Sequence, residues 1–156
     1  EIKKCYPNVE FHICGYCEED YKAAIKEKTL AGEVIYHGLV DDVKPYEEKC
    51  HCVVLPSFHP EGISNVLLEG AACARPLITT DHAGCQETVT DGVTGYIVKQ
   101  RDSKDLIDKM IRFIKLSYEE KVQMGIEGRK KIEKEYDRKI VVDCYMKEIE
   151  EIGRKI

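Results

Sequence analysis

No apolar run in the chain approaches the roughly 20 residues that a membrane-spanning helix needs, which excludes a helical span. Basic residues are not in excess either: 24 Lys and Arg stand against 29 Asp and Glu, for a formal net charge of −5. Binding to a phosphate backbone by counterion release needs a basic face, so a general nucleic-acid surface is excluded as well. The opening EIKKCYPN has neither an initiating Met nor the apolar core of a signal peptide. It reads as the end of a helix within a longer polypeptide. Glycine and proline, 11 and 5 in 156 residues, are spread along the chain, which argues against disordered or fibrous sequence. What is present, 43% hydrophobic and 34% charged residues, fits one globular domain with a sizeable core. Of the eight cysteines, Cys52 in CVVL and Cys73 in GAACA sit in apolar runs, where a reduced thiol behaves as a small hydrophobe. Reduced thiols, and so a cytosolic setting, are expected.

The alternation of segments defines the fold class. VEFHIC (9–14), VIYHG (34–38), CVVLPS (52–57), PLITT (76–80) and TGYIVK (94–99) read as strands, with CVVL having the continuous apolar character of a strand buried on both faces. EEDYKAAIKEKTL (18–30) and a short stretch over 42–49 read as helices. From Ser103 onward three longer amphipathic helices follow; in the first, Leu106, Ile107, Met110, Ile111, Phe113 and Ile114 recur at spacings of three and four. Strands alternating with helices imply right-handed βαβ units and a parallel sheet. The expected fold is α/β, a Rossmann-like doubly wound parallel sheet with helices on both faces and a C-terminal helical tail.

Chemistry concentrates in HPEGISNVLLEGAACARPLITT (59–80). On a helical wheel Ile63, Val66, Leu67, Gly70, Ala71 and Ala74 share one face, which is expected to pack on the sheet. Glu69 projects to the opposite side with Asn65 and Ala72, and Glu61 lies just before the helix. The helix starts near Gly62 to Ser64, after a buried strand, at the carboxyl edge where open α/β sheets bind ligands. Its free N–H groups and positive dipole end suit an anion; Gly62 permits close backbone approach, and Ser64 can cap the helix or donate. As an acid/base pair the two glutamates are poorly spaced: seven helical steps separate Glu69 from the turn by roughly 10 Å, against roughly 5–9.5 Å between the carboxylates of glycosidase pairs. Two recognition carboxylates straddling a diphosphate fit better, with Glu61 toward a sugar and Glu69 toward a ribose. That ligand is a nucleoside-diphosphate sugar.

The stretch LPSFHPEGISNVLLEGAACARPLITTDHAGCQETVTDGVTGYIV resembles the signature region of retaining glycosyltransferases of family 4, whose GT-B fold faces two Rossmann-like domains across a cleft. The likeness runs from about Tyr6 to Tyr145 and rests on the Glu-x7-Glu spacing with its flanking PS, EG and GxxE elements. It implies a donor-binding C-terminal domain, with Glu61 on donor-sugar hydroxyls as the candidate catalytic residue. Backbone at Gly62, Ile63 and Ser64 would meet sugar and diphosphate, Glu69 the ribose, and Gly15 would line the cleft. It also implies metal-independent transfer to a lipid-linked glycan acceptor, as in capsule, O-antigen or exopolysaccharide assembly. Such an enzyme would be cytoplasmic, peripheral at the inner membrane face through an N-terminal acceptor domain.

Departures from the family pattern are specific. Ala74 stands where the family has Gly, which weakens the helix C-cap signal. The Arg and Lys that neutralise the donor diphosphate, the first strand of the domain and the whole acceptor domain would all lie upstream of residue 1. Ser57, Phe58 and His59 fall in the loop before the site, Phe58 reading as packing. Cys14-x2-Cys17 and Cys50-His51-Cys52 would ligate a metal only if they met in space, and no metal is expected. Two other functions are open: a nucleotide-sugar epimerase of similar architecture, and a non-enzymatic receiver-like module. The latter needs an acid cluster after the first strand, where this chain has Gly15-Tyr16-Cys17.

Overall fold

The computed structural model of the chain describes residues 1–59 and 62–154. It divides into two compact units, Glu1–Tyr46 and Glu47–Ile156. Where one parallel sheet is expected, the strands form two parallel ladders, one in each unit.

The first unit holds α1 (Ile2–Cys5), β1 (His12–Cys14), α2 (Glu19–Leu30) and β2 (Ile35–Gly38), and reaches into α3 (Lys44–Glu47). β1 and β2 pair in parallel, His12 opposite Ile35 and Cys14 opposite Gly38, with a bulge between Ile13 and Cys14. Glu19 and Asp20 in its first turn and Lys28 in its last complement the dipole of α2. None of its residues is buried. His12 Nδ1 and His37 Nε2 lie 2.9 Å apart, with Glu10 on the far nitrogen of His12.

The second unit is built on β3 (Val53–Leu55), β4 (Leu77–Thr80) and β5 (Gly95–Val98), in that order, with β4 central and buried throughout. Alternation along the strands separates two apolar clusters. Leu67, Ala71, Leu77, Cys85, Val89 and Ile132 form one, with Val53, Leu55 and Ile97 against it. Ile78, Tyr96, Val98, Phe113 and Met124 form the other, with Cys52 and Val54. α4 (Asn65–Ala72) supplies the first cluster and α5 (Ser103–Ile114) the second, while α6 (Tyr118–Glu135) contributes Met124 to one and Ile132 to the other. Helices on both faces of a parallel sheet are the doubly wound arrangement that the sequence implies.

Helix starts follow local chemistry. Asp102 accepts from the Lys104 and Asp105 amides at the head of α5, Ser117 and Glu120 make a reciprocal capping box on α6, and Asp137 caps α7 (Arg138–Gly153). β3 departs from expectation: its three residues are half-buried rather than buried on both faces. On α7, Val141, Val142, Tyr145 and Met146 are all exposed.

Candidate functional site

Because β3, β4 and β5 run parallel, the segments after Leu55, Thr80 and Val98 leave the sheet along one edge. Buried hydroxyls tie the first of these to the sheet. Thr79 Oγ1 donates to the Leu55 carbonyl at 2.9 Å, and Thr80 Oγ1 donates to that of Ser57. The Ser64 N–H then donates to Gly84 O at 3.0 Å, and the Gly84 N–H donates to the Glu87 carboxylate at 2.8 Å. Across the edge, the Gln100 N–H donates to Asp81 Oδ1 at 3.0 Å. Three loops are thereby fixed to one another by backbone, hydroxyl and carboxylate hydrogen bonds.

α4 begins at this edge. Ser64 occupies its N-cap position with extended backbone but makes no side-chain capping bond; the first intrahelical bond runs from the Leu68 N–H to Ser64 O at 3.1 Å. The amides of Asn65, Val66 and Leu67 therefore open the helix with no acceptor among the described residues. Gly62 and Ile63 are exposed beside them, and Ser64 is buried. Glu69 is exposed together with Asn65 and Ala72, as the wheel requires.

The inward face is narrower than the sequence implies. Leu67, Gly70 and Ala71 are buried, and a Cβ at Gly70 would lie 2.8 Å from Val53 Cγ2, so any larger residue there would displace the Val53 side chain. Ile63 and Val66 are 42% and 47% exposed, a correction to the expected packing face. Ile63 precedes the helix, so helical spacing does not apply to it, and Val66 turns toward the side of Asn65 and Glu69. Ala74 lies past the helix end with φ +55.

Gly15 belongs to the first unit. Its φ of +132 is a conformation that only glycine adopts without strain, its N–H donates to Gly38 O, and its carbonyl accepts from the Tyr36 hydroxyl at 2.9 Å. Glu61 lies outside the described residues. Among the described residues no three His, Cys, Asp or Glu side chains are grouped to hold a metal ion. Cys50 and Cys73 instead donate to the backbone carbonyl and carboxylate of Glu47, and Arg75 donates to the Cys50 carbonyl at 3.1 Å.

One cation at the edge has no prominent sequence signal. The Arg101 guanidinium stacks over the Phe58 ring, 4.6 Å from its centroid, and Phe58 in turn touches the His59 ring at 4.3 Å. Phe58 is thus not core packing; it is 41% exposed. Only the turn-forming QRD, just after an apolar strand, hints at this.

Parallel strands, helices on both faces and, among the described residues, helix amides without acceptors at the carboxyl edge define an α/β domain of the doubly wound class. The chain belongs to the glycosyl transferases group 1, whose family pattern matches residues 1–115. It is 28% identical over 138 residues to a Campylobacter jejuni N,N'-diacetylbacillosaminyl-diphospho-undecaprenol alpha-1,3-N-acetylgalactosaminyltransferase, covering 88% of this chain and 36% of that protein. The chain thus spans about a third of that relative's length. Its fold is that of Anabaena HepE, solved in complex with UDP, with a TM-score of 0.79 at 21% identity over 98% of this chain and 43% of that one. A second likeness is to the C-terminal domain of LpcC, a glycosyl transferase group 1 family protein from Francisella tularensis. There the TM-score is 0.74 at 21% identity, over 87% of this chain and 74% of that one.

Proposed function

We propose that this chain is the donor-binding half of a retaining glycosyltransferase, which moves a sugar from a nucleoside-diphosphate sugar to a lipid-linked glycan acceptor. The observation that carries the reading is the start of α4: three amides without acceptors among the described residues at the carboxyl edge of the sheet, with Glu69 exposed on the same helix. In this reading the backbone from Gly62 to Ser64 and the first amides of α4 grip the diphosphate. Glu69 accepts from the ribose hydroxyls, and Glu61 accepts from hydroxyls of the sugar.

When the bond from the anomeric carbon to the phosphate oxygen breaks, its electron pair stays on the nucleoside diphosphate. Fixed amides and the helix dipole stabilise that charge as it develops, which lowers the barrier without a metal. The acceptor hydroxyl bonds to the anomeric carbon on the face the phosphate leaves, and its proton passes to the departing phosphate oxygen. A further domain of the same polypeptide holds the acceptor, and a lipid-diphosphate acceptor, of the kind named for the Campylobacter relative, brings the enzyme to the inner face of a membrane. No helix among the described residues is long and apolar enough to cross one.

Titration with a nucleoside diphosphate, followed by amide NMR shifts, tests the site. Shifts centred on residues 61–69 are expected, with Glu69→Ala weakening nucleotide more than Glu61→Ala. Equal affinity for both variants and the parent overturns the assignment.

A further inference from the structure

We infer that Arg101 is a further phosphate-contacting residue at the carboxyl edge of the second unit. This rests on the donor-site reading above and adds to it a side-chain cation within the chain itself.

Arg101 sits in a turn closed by the Asp102 N–H donating to Lys99 O at 3.3 Å, with φ +58. Its position in such a turn favours Gly or Asn, and a residue with a Cβ is strained there. The backbone around it is fixed from several sides. Gln100 N–H is held by Asp81, Lys99 N–H by Asp105 at 2.8 Å, and the Asp102 carboxylate is committed to the Lys104 and Asp105 amides. The acids nearest in sequence are thus occupied by backbone donors. Arg101 has no ion pair or hydrogen bond among the described residues, whereas Arg129 and Arg154 each pair with a glutamate four residues away.

The head group is nevertheless held in place. The cation–π contact with Phe58 holds the guanidinium carbon 4.6 Å from the ring centroid, and no hydrogen bond or ion pair among the described residues uses its N–H groups. Phe58 lies in the loop that leads from β3 to the α4 amides. A planar fork with unused donors, immobilised at a ligand-binding edge on strained backbone, matches the bidentate recognition of phosphoryl oxygens. Those oxygens belong to the donor diphosphate or to the diphosphate of the lipid-linked acceptor.

The test uses the full-length enzyme with inorganic pyrophosphate, UDP and farnesyl diphosphate as probes, and uridine as the phosphate-free control. Arg101→Gly is expected to weaken pyrophosphate by about tenfold or more, as for a lost charge-assisted bond, while leaving uridine unchanged. The same variant should melt no lower than the parent, because relief of left-handed strain offsets glycine's entropy and the lost ring contact. Arg101→Lys should recover part of the binding. Where the pyrophosphate loss is matched by UDP but not by farnesyl diphosphate, the contact belongs to the donor; where it is matched by farnesyl diphosphate but not by UDP, it belongs to the acceptor. Pyrophosphate binding within twofold of the parent, equal loss of uridine, or a parent that binds none of the phosphates overturns the inference. If Glu69→Ala leaves UDP binding intact while Arg101→Gly weakens it, the ribose assignment fails and the Arg101 contact stands.

Discussion

Replacing Gly125 by alanine sets two effects of opposite sign against each other. Gly125 and Gly128 both lie inside α6 and are both buried. Helix propensity alone favours alanine over glycine by about 1 kcal/mol at either position. At Gly128 a Cβ would meet only ordinary contacts, 3.7 Å from Thr94 Cβ and 3.8 Å from Thr94 O, so Gly128→Ala should stabilise by about that amount. At Gly125 it would lie 2.0 Å from the Ala74 carbonyl oxygen, and real Cβ contacts stay above 3.0 Å, so α6 and α4 would have to part by 1 Å (3.0 − 2.0). That carbonyl belongs to a turn closed by two 2.9 Å bonds, Ala74 N–H to Ala71 O and Arg75 N–H to Gly70 O, and it cannot yield cheaply. Overpacking costs about 1–3 kcal/mol, at the upper end for so short a contact with backbone, so after the propensity gain of about 1 kcal/mol a net loss of about 1–2 kcal/mol is expected. Urea unfolding followed by far-UV circular dichroism measures both, reading the midpoint at unchanged slope. A Gly125→Ala protein as stable as the parent would refute the close helix contact.

Ala74 forms the left-handed residue of the same turn, a complete Schellman motif with alanine where glycine is usual. Relief of about 1–2 kcal/mol of strain, less the entropy of glycine and a half-buried methyl, predicts that Ala74→Gly stabilises by about 0.5 kcal/mol; Ala74→Val should lower the melting midpoint. Burial pushes the Cys52 thiol well above its ordinary value of 9.0, and Cys50 and Cys14 move upward for the same first cause. The unfolded chain releases these protons first as pH rises, so their contribution is intact below pH 9 and lost above it, by about 1.4 kcal/mol for Cys52 at pH 10. Under reductant, Cys52→Ala should flatten the alkaline fall in stability between pH 8 and 10; an unchanged profile would count against burial of that thiol.

Signals confined to a few residues were legible in the sequence. Ser117-x-x-Glu120 and the aspartates at 102 and 137 mark helix starts because a cap is a bond between near neighbours. The five apolar runs locate the five strands found among the described residues, each trimmed at one end or both where pairing stops. Spacing that presumes a continuous helix misleads at its ends: Ile63 and Ala74 carry the right periodicity on either side of α4, yet neither is helical. Partners distant in sequence were the least legible. Nothing in IYHG or VVL states which strand each will pair with, and nothing in QRD states that its arginine will rest on a phenylalanine 43 positions earlier (101 − 58).

The threonines that end β4 join these two levels. PLITT reads as an apolar strand, and the structure buries all four residues from Leu77 to Thr80. A valine in place of either threonine would serve that burial equally well. What the hydroxyls add is direction: a buried O–H needs an acceptor, and here the acceptors are carbonyls of Leu55 and Ser57, where the chain leaves β3 for the α4 turn. The requirement that no buried hydroxyl stay unpaired is therefore met by fixing the first residues of the loop that leads to Gly62–Ser64. Rigidity at that point matters for the proposed chemistry, because amides stabilise a developing phosphate charge only if they need not reorganise as the bond breaks. Two threonines at the carboxyl end of a buried strand thus say more about a ligand site than about the core that contains them.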